Sequence, residues 1–392
     1  MEDAAEFLTG LFQAAIDAAA PASCLPQYLP SPPVGRTLLI ACGKAAASMA
    51  KVTEEHWPKE APLSGIALTR YGHGCACDQI ELVEASHPVP DDRGYEISKK
   101  IIGEVAALTE NDLLLFLVSG GGSALFAVPA TGIALEEKKA INRALLKSGA
   151  PIGEMNIVRK HLSAVKGGRL AALASPAKVV TLAISDVPYD DPSTIASGPT
   201  VPDTSTSADA IAILDRYAIS VSDLVHSHLL SENSETPKPG DPVFHRSTFN
   251  MIARPADMLA AVLEDPRLAE LRVKSLGADI EGEAREVGQD HGKLAFDLAG
   301  RYDLILSGGE TTVTVSESQK TGRGGRNCEY LLALAVELNG APGIYAIAAD
   351  TDGIDGSETN AGAIITPDTL KRGAQAGLNG RLSGAPRQLL LF

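Results

Sequence analysis

An α/β protein with a mostly parallel sheet is what this sequence predicts, and three observations carry the prediction. Short apolar runs alternate with helical stretches along much of the chain. Several of these runs, such as LLLFLV and VVTLAI, are apolar throughout, as strands buried on both faces are. Some end in glycine-rich or acidic turns, and open α/β sheets bind ligands at such strand ends.

The chain opens on MEDAAEFLTGLFQAAIDAAA, which places Leu8, Leu11, Phe12, Ala15, Ile16 and Ala19 at helical spacing. Strands follow at Thr37–Ala41, Gly65–Thr69 and Ile80–Val83, with a helix from about Gly94 to Leu108. The run at 113–118 is the next strand. Residues 134–149 and 158–173 read as helices, and Lys178–Ile184 as another buried strand. SENSETPKPGD, residues 231–241, is polar and proline-rich and marks the expected boundary between domains at 1–237 and 238–392. The second half restarts with a helix from about Pro255 to Leu263. Strands are expected at Leu271–Leu276, Tyr302–Leu306, Thr311–Val315 and Gly343–Ala348, and helices at 282–298 and 329–338.

The length of 392 residues suits two or three domains with ample core. Hydrophobic residues make up 45% and charged residues 21%, ordinary proportions for a globular protein. A formal net charge of −15 argues against a nucleic-acid binder working through a general basic face. It also means that an anionic substrate needs a local basic pocket. The five cysteines, Cys24, Cys42, Cys75, Cys77 and Cys328, are odd in number and scattered, which is no disulfide framework. Cys75-Ala-Cys77 lacks the spacing of a common zinc pair. The N-terminus has no basic signal-peptide region, and no apolar run approaches a membrane span. These absences predict a cytoplasmic protein with small-molecule partners, no nucleic acid and no membrane, and leave room for a homo-oligomer.

The chemistry-bearing stretches sit at the strand ends. Ser119-Gly120-Gly121-Gly122-Ser123 follows the strand at 113–118. Three consecutive glycines lose much conformational entropy on folding. A glycine-rich turn of this kind lets an anion approach backbone N–H groups; a flexible turn is the plainer reading. Gly43-Lys44 lies between a strand and a helix. The lysine either points to water or meets an anion at that helix end. It is no Walker A motif, since Ala45 follows Lys44. Ser185-Asp186 ends a buried strand, with Asp190 and Asp191 close behind. Asp350, Asp352 and Asp355 form a second acidic cluster, but Ile354 and Ala361 break the EF-hand pattern. Magnesium needs only one or two carboxylates plus substrate phosphates, so either cluster can serve; turn chemistry also explains both. Gly322-Arg323-Gly324-Gly325-Arg326-Asn327 interleaves arginines with glycines at the turn into a helix, which suits phosphate or carboxylate. Asn156, Arg159, Lys160, His161, Lys166 and Arg169 form a basic helical stretch that reads as an anion-facing surface or a solvated face.

Taken in order, Gly43-Lys44-Ala45-Ala46, EASHPVPD, LVSGGGSALF, VRKHLSAVKGGRLA, ISDVPYDDPSTIASGPTVPD, LSGGETTVTV, GRGGRN and DTDGIDG resemble the glycerate 2-kinases of the MOFRL-containing type. Some relatives of that family carry the label hydroxypyruvate reductase. The resemblance runs from about Leu39 to Ile365. It implies two α/β domains, the first Rossmann-like with a mostly parallel sheet, and an active site in the cleft between them. It implies ATP-dependent phosphorylation of D-glycerate to 2-phosphoglycerate with Mg2+. The family's catalytic lysine maps onto Lys44, and its catalytic arginine onto the glycine–arginine loop, where Arg326 beside Asn327 is preferred over Arg323. Ser119 to Ser123, Lys166, Arg323 and Asn327 are then candidates for holding nucleotide or substrate. Asp186 is a candidate for catalysis and metal, and Asp350 and Asp352 for metal. NGRLSGAPRQLLLF departs from the family's closing segment and reads as a shifted frame or truncation, which would weaken the second domain or leave an inactive binding protein. The rival enzyme is an NAD(P)H-dependent hydroxypyruvate reductase. Neither glycine turn fits G-x-G-x-x-G, since the sixth positions are Leu125 and Asn327.

Overall fold

The computed structural model of the protein describes residues 4–314, 324–357 and 359–378. Arg323 and the departing segment 379–392 lie outside the described residues, as does Val315 at the end of an expected strand. The chain divides into two compact units, Ala20–Arg254, and Met1–Ala19 together with Pro255–Phe392.

The first unit is built on one six-stranded, all-parallel sheet: β1 (Thr37–Cys42), β2 (Leu63–Arg70), β3 (Ile80–Ala85), β4 (Leu113–Val118), β5 (Lys178–Ile184) and β6 (Ser247–Ala253), in the order β3-β2-β1-β4-β5-β6. All six residues of β1 and all six of β4 are buried, as expected where helices cover both faces of the central strands. Between strands the chain is helical at Ala46–His56, Asp92–Ala106 and Leu135–Lys147. The helix at Asp92 starts where the Asp91 side chain accepts from Gly94 N.

β6 was not among the strands expected from sequence. Its burial is partial and its residues are mixed, because it is an edge strand with a neighbour on one side only. The expected boundary after residue 237 therefore falls inside the first unit, and the units part at Arg254/Pro255. A second correction concerns 158–173, expected as one helix. The structure has helices at Ile152–His161 and Arg169–Ala174, broken between them. Gly167 and Gly168 both adopt positive φ there, 59° and 82°, which a helix interior does not allow.

In the second unit the helix Ala4–Ala19 packs against Pro255–Leu263, and its Leu11 joins Val262 and Leu268 in a buried cluster. Helix Ala284–Leu298 lies against helix Arg326–Leu338. Gly288 and Gly292, one turn apart, allow this approach. A β-carbon on Gly288 would lie 2.3 Å from Tyr330 O. The strands are short pairs: β7 (Val273–Ser275) beside β9 (Leu304–Leu306), β8 (Ile280–Glu283) beside β10 (Gly309–Thr312), and β11 (Ala346–Ala349) antiparallel to β12 (Gly362–Ile365). No helix among the described residues is long and apolar enough to cross a membrane.

Candidate active site

β1 and β4 run side by side, Cys42 opposite Val118, and the strand order of the sheet reverses at this pair. That is the topological switch point, the place where open α/β sheets take ligands. The turn leaving each strand is held by the other. Lys44 N donates to Gly120 O at 2.7 Å, Ser119 N to Cys42 O at 3.1 Å, and Ala45 N to Ser119 Oγ at 3.0 Å. Thr69 Oγ1 donates to Lys44 O at 3.2 Å, so the Lys44 main chain is bonded on both sides. Gly43 is required by this interlock: a β-carbon there would lie 2.3 Å from Ser119 Oγ. Lys44 itself precedes the helix that begins at Ala46.

Each of the three consecutive glycines has its own steric reason. At Gly120 a β-carbon would sit 2.0 Å from Asp186 Oδ2. Gly121 has φ +80°, the left-handed region, and a β-carbon would lie 3.0 Å from His87 Nε2 and 3.3 Å from Lys44 Cγ. At Gly122 it would meet Ala196 Cβ and Cys42 Sγ, both at 3.2 Å. Side chains of this protein therefore already crowd the turn. Asp186 from the end of β5, His87 from beyond β3 and Lys44 from beyond β1 all come to it. Gly120 and Gly121 are only partly buried, and their N–H groups find no acceptor among the described residues. His87 was quoted in the sequence motif without a role. Its position directly after a parallel strand was the signal for its place here.

The basic stretch at 156–169 is neither a solvated face nor a single helical surface. Lys160 is buried and donates to Asp203 Oδ1 at 3.1 Å. His161 is buried, its Nδ1 2.9 Å from Ile157 O. Arg169 donates to Ser234 O at 2.7 Å. Lys166, expected to hold a ligand, is only 2% exposed and lies beneath the glycine turn. Its Nζ donates to Ser123 O and Ser123 Oγ, both at 2.9 Å, and to Ala196 O at 3.1 Å. Burial, then the like charges of Lys138 and Arg159, push its pKa well below the ordinary lysine value. Ser123, also expected to touch a ligand, is engaged in the same contacts and in a hydroxyl pair with Ser197 at 3.0 Å. Asp191 closes its own turn, accepting from Ser193 N at 2.9 Å.

The second glycine-rich turn, 324–327, is occupied by the protein's own carboxylates. Asp355 is fully buried and accepts from Asn327 N at 3.0 Å and Cys328 N at 2.9 Å, the donors an anion at this helix start would use. Arg326 Nη2 donates to Asp350 Oδ2 at 2.7 Å, and Nη1 donates to Glu310. Burial opposes the charge on Arg326, but Glu310 and Asp350 outweigh it and raise the pKa. Asp350 Oδ1 also accepts from Asp352 N at 3.3 Å, and Asp352 Oδ1 from Ile354 N at 3.0 Å. Of the metal candidates, Asp186 belongs to the first unit and Asp350 and Asp352 to the second. Among the described residues no three His, Cys, Asp or Glu side chains group as a metal-holding set. Neither Asp355 as a cap nor Glu310 as a partner was foreseen, because both meet their groups across long stretches of chain.

Comparison with known proteins agrees with this architecture. The family model described as Domain of unknown function (DUF4147) matches residues 7–230, and the MOFRL family model matches residues 303–383. A protein of Agrobacterium vitis named "Putative hydroxypyruvate reductase" is 47% identical over 384 residues, covering 96% of this chain and 86% of that protein. The D-glycerate 2-kinase of Thermotoga maritima is 40% identical over 363 residues, covering 91% of this chain and 84% of that one. The crystal structure of glycerate kinase from Thermotoga maritima superposes with a TM-score of 0.81 at 36% identity, over 95% of this chain and 89% of the other. With both family models matched in order and such relatives aligned over nearly the whole length, the chain belongs to the MOFRL-containing glycerate 2-kinase family, some of whose members carry the reductase name.

Proposed function

We propose that this protein transfers the γ-phosphoryl group of ATP to the 2-hydroxyl of D-glycerate, giving 2-phosphoglycerate. One observation supports the reading above the rest. At the switch point of the sheet, Lys44, Asp186 and two backbone N–H groups that find no acceptor among the described residues meet on a turn where β-carbons would crowd the neighbouring side chains. Phosphoryl transfer needs mainly positioning and charge stabilisation, and this set supplies both. Lys44 is assigned to the charge on the transferring group. Its main chain is fixed by Gly120 and Thr69, so the side chain starts from a set position. The N–H groups of Gly120 and Gly121 are assigned to phosphate or carboxylate oxygens, with no side chain to hold them off.

Magnesium fits Asp186 better than Asp350. Asp186 is an exposed, hard oxygen donor beside the glycine turn and Lys44, and Asp350 lies in the other unit. When bound it neutralises charge on phosphate oxygens. Arg326 is kept as the family's catalytic arginine.

The test is purified full-length protein with D-glycerate and ATP-Mg2+, the product resolved as 2- or 3-phosphoglycerate, beside hydroxypyruvate with NADH. Formation of 2-phosphoglycerate without NADH oxidation is expected. NADH turnover without phosphorylation would replace the kinase reading with the reductase one.

A further inference from the structure

We propose that Lys166 is a positioning residue whose ammonium clamps the glycine turn 119–123 to the turn 195–198, so that the exposed edge of the first turn keeps its geometry for the anion. The inference rests on the kinase reading for its consequence, but its structural half stands alone.

Three acceptors surround Lys166 Nζ, and all are oxygens: Ser123 O, Ser123 Oγ and Ala196 O, at 2.9, 2.9 and 3.1 Å. An ammonium has three N–H donors and matches them; a neutral amine would turn its lone pair toward one of the oxygens. The direction of the remaining bonds follows. Ser197 Oγ donates to Asn156 Oδ1 at 3.2 Å, where Arg159 Nη1 also donates at 3.2 Å. The 3.0 Å contact between Ser123 and Ser197 is therefore donated by Ser123, whose oxygen already receives Lys166. The proton order runs Lys166, Ser123, Ser197, Asn156; the Arg159 guanidinium on Asn156 Oδ1 sets it, and it leaves Ser123 Oγ only as an acceptor for Lys166.

The clamped partner is a strained segment. Ala196 and Ser197 are non-glycine residues at φ 50° and 62°, a conformation the surroundings must impose. Gly167 N donates to Ser197 O at 3.0 Å and Gly168 N to Gly198 O at 2.7 Å, so the break after Lys166 docks this segment. Ala196 Cβ in turn lies 3.2 Å from where a Gly122 β-carbon would be. Lys166 thus joins the wall that begins at Asp186 to the turn that holds the Lys44 main chain.

Among the described residues no carboxylate is bonded to Lys166. The charged and titratable groups acting on it are Lys138, Arg159 and Cys42, and burial raises the Cys42 thiol to about 12, which keeps it neutral. A merely structural lysine and a positioning lysine now differ in pH behaviour. An unfolded lysine keeps its proton to about pH 10.4. The folded chain releases that of Lys166 earlier, so the unfolded state binds more protons between the two values and stability rises with pH there. Activity should fall over the same window as the clamp loses its third donor.

The experiment compares the full-length wild type with Lys166→Met. Amide hydrogen exchange is measured without ligand, and kcat and KM for D-glycerate and ATP are followed from pH 6 to 10 beside thermal unfolding. Exchange at 119–125 and 195–198 should quicken at least roughly 10-fold in the variant, with helix Ala284–Leu298 unchanged. The wild type should lose activity at alkaline pH while its unfolding temperature does not fall. Lys166→Met should lose about 100-fold in kcat, the scale of a site displaced by about 1 Å, and have no alkaline limb. Unchanged exchange at both turns overturns the clamp, and so does a variant with normal kcat. If the wild type phosphorylates nothing, the kinase reading fails and the exchange comparison alone decides Lys166.

Discussion

The two glycine-rich turns of this protein look alike in sequence and are held by opposite means. The turn at 119–123 is held from beneath by a buried cation, Lys166, which donates to its oxygens. The turn at 324–327 is held by a buried anion, Asp355, which accepts from its N–H groups. The consequence for binding is direct. In the first turn the N–H groups of Gly120 and Gly121 find no acceptor among the described residues, and Lys44 stands beside them. In the second, Asn327 and Cys328 have already given their N–H groups to Asp355, and the Arg326 guanidinium is divided between Glu310 and Asp350. A glycine–arginine loop is therefore no sign of a vacant anion site until the carboxylates of the same fold have been placed.

Four substitutions sharpen or break this contrast. The largest effect is expected at Lys44. Lys44→Ala should lower kcat roughly 1000-fold, the scale of one lost charge-stabilising group in a preorganised site. Its unfolding temperature should stay the same or rise slightly, because the turn is held through the Lys44 main chain. Steady-state kinetics with calorimetry checks both. Normal turnover by the folded variant would remove Lys44 from the site.

Arg326→Ala should behave differently, losing stability as well as activity. It leaves Glu310 and Asp350 without their shared cation, at a cost of about 1–3 kcal/mol for the broken, partly buried contacts. Adding Glu310→Gln to the variant should recover part of the unfolding temperature. No recovery would show that the guanidinium is not balanced by Glu310.

Asp355→Ala tests the anion that holds the second turn. Losing a cap of this kind costs about 1–2 kcal/mol, and the helix Arg326–Leu338 should fray at its start in hydrogen exchange. Protection at Asn327 and Cys328 that is equal in variant and wild type would contradict the assignment.

Smallest of the three stability losses is that of Gly121→Ala, at about 1 kcal/mol for a residue forced into the left-handed region. Its activity should nevertheless fall about 10-fold or more, since the new methyl would press on His87 and Lys44. A variant that loses stability without activity would place the ligand away from Gly121.

The central strands of the first unit and the turns that end them could be read directly, because continuous apolar runs such as LLLFLV are what burial on both faces demands. β6 could not. STFNMIA is a mixed edge strand, and only its pairing with β5 makes it one. That miss displaced the expected domain boundary. The basic stretch at 156–169 was misread for a similar reason. Composition marks it as charged, but its directions depend on the helix break at Gly167-Gly168, which sends Lys166 inward.

By itself the sequence determined the α/β class, the family, and the local chemistry at each strand end: a lysine after β1, three glycines after β4, an aspartate after β5. These are local matters, set by hydrophobic patterning and turn residues a few positions apart. Only the tertiary structure decided which of those groups meet, and which are already taken. Gly120 faces the Asp186 side chain from 66 residues further along, Ser123 is bonded by Lys166 from 43 residues away, and Asn327 by Asp355 from 28. The physical reason is that a charge or an N–H group is available to a ligand only if no partner of its own fold has reached it first. Those partners are brought by the order of strands in a sheet and by the breaks between helices, across separations that no local pattern records.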